Sequence, residues 1–188
     1  MHAHTDFEKA SFKHLSANKN DFIGVLHAIS APNLLLHVSA YQAFLWNEMV
    51  RDYVRSQFYG ELRSYPGIAG EYLFCLHPIA PDLVIAELAT FGRKMNCDQG
   101  FMSGYIEEVL ARYGIRKGML NNVKVRNFRM HSFKRRFVVK PKQCAFNICS
   151  DSSSAEYNSM RITFDLPSGS YATMFLKHRC ITSAWQIK

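Results

Sequence analysis

Apolar and polar side chains alternate near the carboxyl terminus in a pattern that predicts a β-strand. Every second position is apolar there, at Met160, Ile162, Phe164 and Leu166. This is the period of a strand with one buried face. Residues 167–170 then predict a turn, because proline fixes φ and lacks an N–H while glycine accepts positive φ. The apolar run at 171–176 fits either a second strand or the first turn of a helix.

The longest periodic stretch, residues 34–58, predicts an amphipathic helix. Apolar side chains recur at spacings of three and four, at Val38, Tyr41, Leu45, Met49 and Tyr53, with Phe44 beside them. Such a stripe can dock on a sheet. Gln42 and Asn47 are interpreted as lying off the stripe. Trp46 and the tyrosines are expected to pack in the core rather than to stack on bases.

Shorter patterns predict three further helical segments, at residues 21–31, 82–95 and 105–113. Ser103 is expected to cap the last of these helices, and Gly114 is expected to end it.

Two stretches lack hydrophobic periodicity. Residues 1–20 predict a mobile terminus, although three histidines there could suggest a metal. Residues 59–81 contain several glycines and prolines and predict irregular structure.

Length and composition indicate how many domains the chain has and which classes of protein it can belong to. With 188 residues, of which 48% are hydrophobic and 20% charged, the chain fits one domain or one domain with a small insertion. Its five cysteines include no C-x-x-C pair, so free thiols are expected and a metal site is not. The polar start and the lack of an apolar run of roughly 18 residues argue against a signal peptide or a membrane span. We therefore expect a cytoplasmic protein.

Positive charge is concentrated in one part of the chain. The net charge is +8, and no acidic residue occurs from position 109 to 150. Ten basic residues lie between positions 116 and 142, at Arg116, Lys117, Lys124, Arg126, Arg129, Lys134, Arg135, Arg136, Lys140 and Lys142. A solvated face is the ordinary explanation of such a run, but phosphates would also neutralise it. Phe128, Phe133 and Phe137 between the charges are either stacking platforms for unpaired bases or core residues.

Three blocks of sequence resemble one family. Residues 164–173, FDLPSGSYAT, are similar to F-x-L-P-x-G-S-[YF]-A-T, the carboxyl-terminal signature of the TruD family of tRNA pseudouridine synthases. Residues 40–47 resemble the family's A-Y-Q-S-[YF]-L-[FW]-N helix, and residues 134–139 show a weaker likeness before the final strands. The blocks occur in family order.

The resemblance implies an α+β fold in which a partial pseudouridine-synthase-like mixed or antiparallel sheet is backed by helices. Residues 1–59 and 126–188 would form the carboxyl-terminal part of the catalytic domain. Residues 60–125 would be a small helical insertion, a reduced form of the family's own.

The implied activity is isomerisation of uridine to pseudouridine in RNA. An aspartate would act as the covalent nucleophile, and no cofactor would be needed. Tyr171 would line the uracil slot, with Gly169 and Ser170 allowing close backbone approach, although residues 167–170 could equally form a structural corner. The basic residues expected to bind RNA are Arg126, Arg129, Lys134, Arg135 and Arg136.

The family's nucleophile segment is missing. Neither G-x-K-D nor N-Y-F-G-x-Q-R-F-G occurs, and no Lys-Asp dipeptide exists in the sequence. The chain therefore resembles only the carboxyl-terminal half of such an enzyme, and its catalytic residue is unknown. Asp165 should point away from the apolar face of its strand. Asp52 lies on the predicted long helix and Asp151 in a predicted loop, and neither position supports a role as the nucleophile. The family usually continues its signature with Arg-Glu, whereas residues 177–178 are Lys-His.

Three functions follow as alternatives. The first is a pseudouridine synthase whose other half is supplied by another chain or absent. The second is a noncatalytic RNA-binding module, and the third is a gene remnant or an interaction protein with no RNA role. The basic segment disfavours the last. RNA, and tRNA in particular, is the expected partner. A strand edge left open where the other half would pair also favours a homo-oligomer or poor solubility.

Overall fold

The computed structural model describes residues 6–58, 62–68, 70–77, 79, 87–96, 100–116, 118–150 and 158–182. The helices and strands in these ranges are α1 Asp6–Ala17, α2 Phe22–Ala28, α3 Ala31–Gln57, β1 Leu62–Gly67, β2 Gly70–Cys75, β3 Glu87–Ala89, α4 Ser103–Arg112, β4 Lys134–Arg136, β5 Lys142–Ser150, β6 Asn158–Asp165 and α5 Ala172–Thr182.

The chain divides into two compact units. The first unit contains Met1–Tyr53 and Ala89–Arg135, and the second contains Val54–Leu88 and Arg136–Lys188. Helix α3 and strands β3 and β4 each include a point at which the chain passes from one unit to the other.

The strands form pairs rather than one continuous sheet among the described residues. β1 and β2 make an antiparallel hairpin, β3 pairs with β4, and β5 pairs with β6 in antiparallel register. The fold is therefore α+β with small antiparallel sheets, as predicted. The hairpin corrects the interpretation of residues 59–81 as irregular.

Helix α3 confirms the prediction for residues 34–58 and begins slightly earlier, at Ala31. Pro32 is tolerated there because the first N–H groups of a helix have no partner inside it. The apolar stripe is buried at Val38, Leu45, Met49 and Tyr53. Trp46 is also buried, as expected, whereas Tyr41 is exposed.

Helix α4 packs antiparallel to α3 in the first unit. The Phe44 ring lies 5.2 Å from that of Tyr113, and the Tyr53 ring lies 5.6 Å from that of Tyr105. The earlier residue on α3, Phe44, contacts the carboxyl-terminal end of α4, and the later one, Tyr53, contacts its amino-terminal end. The two helices therefore run in opposite directions. Gly114, with φ +63°, ends α4 as predicted. Ser103 does not cap it, because Met102 holds the cap position without a side-chain hydrogen bond.

The amino-terminal region contradicts the prediction of a mobile terminus. Residues 6–17 form α1, and Phe7 packs against the buried cluster of Ile29, Leu34, Val38 and Met130. Residues 1–5, including two of the histidines, lie outside the described residues. The half-buried Phe7 ring gives this helix a tertiary contact that its weak periodicity does not reveal.

Helix α2 confirms the short helix predicted within residues 21–31, and Asp21 caps it. The Asp21 carboxylate accepts a hydrogen bond from the Gly24 N–H at 2.9 Å and lies 2.9 Å from His14 Nε2. The bond from Gly24, followed by the one from His14, lowers the pKa of Asp21.

The helix predicted at residues 82–95 is wrong where the structure describes it. Residues 87–89 are strand β3 and residues 90–96 are irregular, while residues 82–86 lie outside the described residues. The Thr90 N–H donates to the Phe133 carbonyl at 2.8 Å, and the Arg93 N–H donates to that of Met130 at 2.7 Å. These long-range bonds override the local helical pattern.

Helix α5 lies between both strand pairs of the second unit. The Phe175 ring lies 4.6 Å from that of Phe164 on β6, and Arg179 lies 5.4 Å over the Phe146 ring of β5. On the hairpin side, His178 Nε2 makes a 3.0 Å hydrogen bond with the Cys75 carbonyl. Contacts on both sides explain why α5 has no single apolar face.

Substituting Gly92 should destabilise the protein, because the backbone approaches it closely. A Cβ there would lie 2.6 Å from the Met130 carbonyl oxygen and 2.7 Å from the Ser132 nitrogen. We expect Gly92→Ala to lower the free energy of unfolding by about 2 kcal/mol in urea titrations. The matched control is Gly104→Ala on α4, where no atom lies within 4 Å. It should raise that free energy by about 0.5–1 kcal/mol. Equal effects would contradict the close packing at Gly92.

Candidate functional site

The signature turn has the geometry that its sequence predicts. Gly169 has φ +80°, and the Ser170 N–H donates to the Pro167 carbonyl at 3.2 Å. Positive φ at the third residue is characteristic of a type II turn and favours glycine. A Cβ at Gly169 would meet no atom within 4 Å, so the space beside this backbone is open.

Tyr171 follows the turn and precedes α5, so the run after the turn is a helix rather than a second strand. Its carbonyl accepts hydrogen bonds from the Met174 and Phe175 N–H groups, at 3.0 and 3.4 Å. Its side chain is 57% exposed. The structure therefore places Tyr171, Gly169 and Ser170 together at the start of α5, in the second unit.

Lys177 and His178, where the family usually has Arg-Glu, both contact the β1–β2 hairpin. The Lys177 ammonium lies 4.9 Å from the ring centroid of Tyr65 and 4.8 Å from that of Tyr72, two residues paired across the hairpin. The His178 ring stacks on Phe74 at 5.5 Å. Cation–π contact and stacking thus attach α5 at these positions without a glutamate.

The basic residues predicted to bind RNA are mostly exposed. Arg126, Arg129 and Lys134 are exposed in the first unit. Arg135 is half-buried, with its guanidinium carbon 4.6 Å from the Trp46 ring centroid. Arg136 belongs to the second unit and pairs with Glu87 at 3.4 Å. Each unit therefore carries its own part of the predicted site.

The phenylalanines between these charges differ in burial. Phe128 is half-buried and packs against the cluster that contains Met130. Phe133 is 56% exposed, which leaves its ring accessible for stacking, and Phe137 is half-buried.

A hydrogen-bond network holds the backbone that leads to Lys134 and Arg135. Gln42 Nε2 donates to the Phe91 carbonyl at 2.5 Å and to the His131 carbonyl at 2.8 Å, and it lies 3.3 Å from Thr90 Oγ1. Thr90 Oγ1 also accepts from the Phe133 N–H at 3.0 Å. We call these bonds the Gln42–Thr90 network.

The interpretation of Gln42 as lying off the helix stripe is wrong, since this residue is only 7% exposed. Its spacing already indicated burial, because it lies four residues after Val38 and three before Leu45 on one helical face. Because glutamine is polar, the residue was nevertheless assigned to the exposed side of the helix. Buried amides are found where backbone groups need a partner.

Two carboxylates of the first unit, Asp52 and Glu48, are engaged by arginines. Asp52 Oδ2 lies 2.7 Å from Arg112 Nη2, and this hydrogen bond raises the pKa of Arg112. Glu48 is buried, and it pairs with Arg51 and accepts a hydrogen bond from the Tyr113 hydroxyl at 2.7 Å. In the second unit, Asp165 is exposed on β6, as strand alternation predicted. Asp151 lies outside the described residues.

Within the described ranges, no three His, Cys, Asp or Glu side chains are grouped so that they could hold a metal ion. No helix in these ranges is both long enough and apolar enough to cross a membrane.

Comparison with known proteins identifies the family. The family model for tRNA pseudouridine synthase D (TruD) matches residues 82–178, slightly more than half of the chain. No curated protein sequence matches significantly. A crystal structure assigned as tRNA pseudouridine synthase D (TruD) from Methanosarcina mazei is similar in fold, with a TM-score of 0.63 and 18% sequence identity. The similarity covers 92% of this chain and 44% of that one, so the chain spans less than half of the matched protein. The family match and the shared fold agree with the signature turn and the α+β architecture, and the chain belongs to the TruD family of tRNA pseudouridine synthases.

Proposed function

We propose that this chain contributes the carboxyl-terminal part of a TruD-type catalytic domain, which binds tRNA and forms one side of a uracil slot. In this proposal residues 1–59 and 126–188 belong to that domain, and residues 60–125 correspond to a reduced insertion. The aspartate nucleophile is supplied by polypeptide outside these 188 residues, and the protein acts in the cytoplasm without a cofactor.

The observation that carries the RNA-binding part is the exposed basic segment of the first unit. Arg126, Arg129 and Lys134 are exposed, and Lys134 directly follows Phe133 of the Gln42–Thr90 network. No acidic residue occurs in sequence from position 109 to 150 to neutralise them. Phosphates of an RNA strand would relieve the resulting repulsion and release counterions.

The observation that supports the uracil slot is the exposed Tyr171 ring beside the open space at Gly169. A target uridine must leave its stack before its glycosidic bond can be broken and the base rejoined through carbon. An aromatic ring can receive the extruded base, and a glycine without Cβ lets the ribose-phosphate approach the backbone.

An external nucleophile is proposed because Asp52, Glu48 and Asp165 lack a suitable environment. Asp52 and Glu48 are bound by arginines, and Asp165 is exposed on the polar side of β6. A covalent carboxylate needs to face the base in a largely water-free slot. The second candidate function, a noncatalytic RNA-binding module, is favoured by the missing G-x-K-D segment.

Charge reversal in the basic segment should weaken RNA binding. We expect Arg126→Glu combined with Arg129→Glu to lower affinity for single-stranded RNA at low salt. The slope of log affinity against log salt concentration should fall by about 0.7 for each phosphate that the variant no longer neutralises. Fluorescence anisotropy over a salt series measures both. The matched control reverses Lys13 and Lys19, exposed lysines of the amino-terminal region. An equal loss of affinity in the control would show that only net charge matters, which contradicts a specific binding segment.

Tritium release from tRNA that contains 5-tritiated uridine should separate the two candidate functions. We expect no release by the chain alone. Release should appear after addition of the amino-terminal half of a TruD-family enzyme carrying the G-x-K-D segment. Tyr171→Ala should abolish this release while RNA binding persists, and Tyr171→Phe should retain it because stacking needs only the ring.

Release by the unsupplemented chain would mean that it holds its own nucleophile, contrary to the proposal. Binding of tRNA without release under either condition would favour the noncatalytic module.

A further inference from the structure

Arg135 differs in its surroundings from the other predicted RNA-binding residues of the first unit. Arg126, Arg129 and Lys134 are exposed, whereas Arg135 is half-buried and lies over the indole of Trp46. The distance from its guanidinium carbon to the ring centroid is 4.6 Å. A guanidinium placed over an aromatic face keeps fewer rotamers than one in solvent. Arg135 is therefore positioned before any ligand arrives.

The presence of tryptophan rather than phenylalanine at position 46 supports a role for its contact with Arg135. Its side chain is 5% exposed, and the indole Nε1 has no hydrogen-bond acceptor among the described residues. A buried unsatisfied donor is unfavourable, and phenylalanine at this position would avoid it. Indole offers instead the most electron-rich aromatic face for holding a cation.

The backbone before Arg135 is also fixed. The His131 carbonyl accepts from Gln42 at 2.8 Å, and the Phe133 N–H donates to Thr90 Oγ1 at 3.0 Å. Ser132 Oγ donates to the Thr90 carbonyl at 2.6 Å. Arg135 follows two residues after Phe133 on β4, so both its backbone and its side chain are restrained. Such preorganisation reduces the entropy lost on binding.

We infer that Arg135, supported by Trp46, stacks on an unpaired base of the bound RNA. A planar guanidinium can stack on a nucleobase, and together with the indole it would form a base–arginine–tryptophan stack. The exposed basic residues would contact phosphates, which carry charge but no base identity. This inference rests on the proposed RNA-binding function and assigns one residue of that surface to the base.

The two kinds of contact respond differently to lysine. A phosphate contact needs charge, which lysine keeps, whereas stacking needs the guanidinium plane, which lysine lacks. Arg135→Lys therefore tests stacking. Arg93→Lys is the matched control, because Arg93 is an exposed arginine of the same unit and lies outside the predicted RNA-binding residues.

The experiment uses the full chain in a Trp185→Phe background, so that Trp46 is the remaining tryptophan of the two in the sequence. An oligouridylate and an RNA duplex of equal length are the probes. Arg135→Lys should bind oligouridylate about tenfold more weakly than the parent and bind duplex nearly unchanged. Arg93→Lys should differ from the parent by less than about twofold with either probe.

Trp46 emission provides a readout that does not depend on a variant. Oligouridylate should quench it in the parent, and an abasic ribose-phosphate oligomer of equal length should bind without quenching it. Arg135→Lys saturated with oligouridylate should show little quenching, while an unchanged thermal unfolding midpoint would exclude a folding defect.

The outcomes separate this inference from the function on which it rests. If the parent binds RNA but Arg135→Lys binds oligouridylate as tightly as the parent, Arg135 is an ordinary phosphate contact and the inference is overturned. The inference is also overturned if the control variant loses as much affinity as Arg135→Lys, or if the abasic oligomer quenches as strongly as oligouridylate. If the parent binds neither oligouridylate nor duplex, the RNA-binding function fails and the inference fails with it.

Discussion

The first unit depends on the hydrogen bonds that the buried Gln42 amide donates to backbone carbonyls. The carbonyls of Phe91 and His131 belong to segments far apart in sequence, and Gln42 reaches both from α3. Without this amide, buried carbonyl groups would lose a donor, at a cost of about 1–3 kcal/mol for each. Gly92 completes the arrangement, because only the absence of a Cβ lets residues 130–132 approach so closely. Helix α3, the segment around Phe91 and residues 130–132 are thereby held together.

This constraint connects the interior of the protein to its charged surface. The network ends at Phe133, and Lys134 and Arg135 follow immediately. Rigid backbone under a cluster of like charges keeps the cations from spreading apart to relieve their repulsion, so an anionic partner gains more by binding. In the second unit, α5 has a comparable role for Tyr171. Its contacts with both strand pairs fix the direction in which the signature turn enters the helix.

Sequence periodicity predicted the elements whose burial follows a local repeat. Helix α3, strand β6 and the turn at Gly169 belong to this group. Elements determined by long-range pairing were missed or assigned wrongly. Residues 87–89 form a strand because β4 pairs with them, and the tyrosines of the β1–β2 hairpin contact Lys177 more than 100 residues later. Gln42 was missed because its side chain is polar, although its spacing from Val38 and Leu45 places it on the buried face of α3. The carbonyls that it meets there come from residues 91 and 131 and are not predicted by local sequence.

The central claim is that RNA lies on the basic segment of the first unit and against Tyr171 in the second. Photocrosslinking of the full chain to tRNA that contains 4-thiouridine, followed by mass-spectrometric mapping of the attached peptides, tests this most directly. We expect crosslinks within residues 124–136 and at Tyr171, with few on α1 or α4. Crosslinks concentrated on α1 or α4, with none in the basic segment, would contradict it.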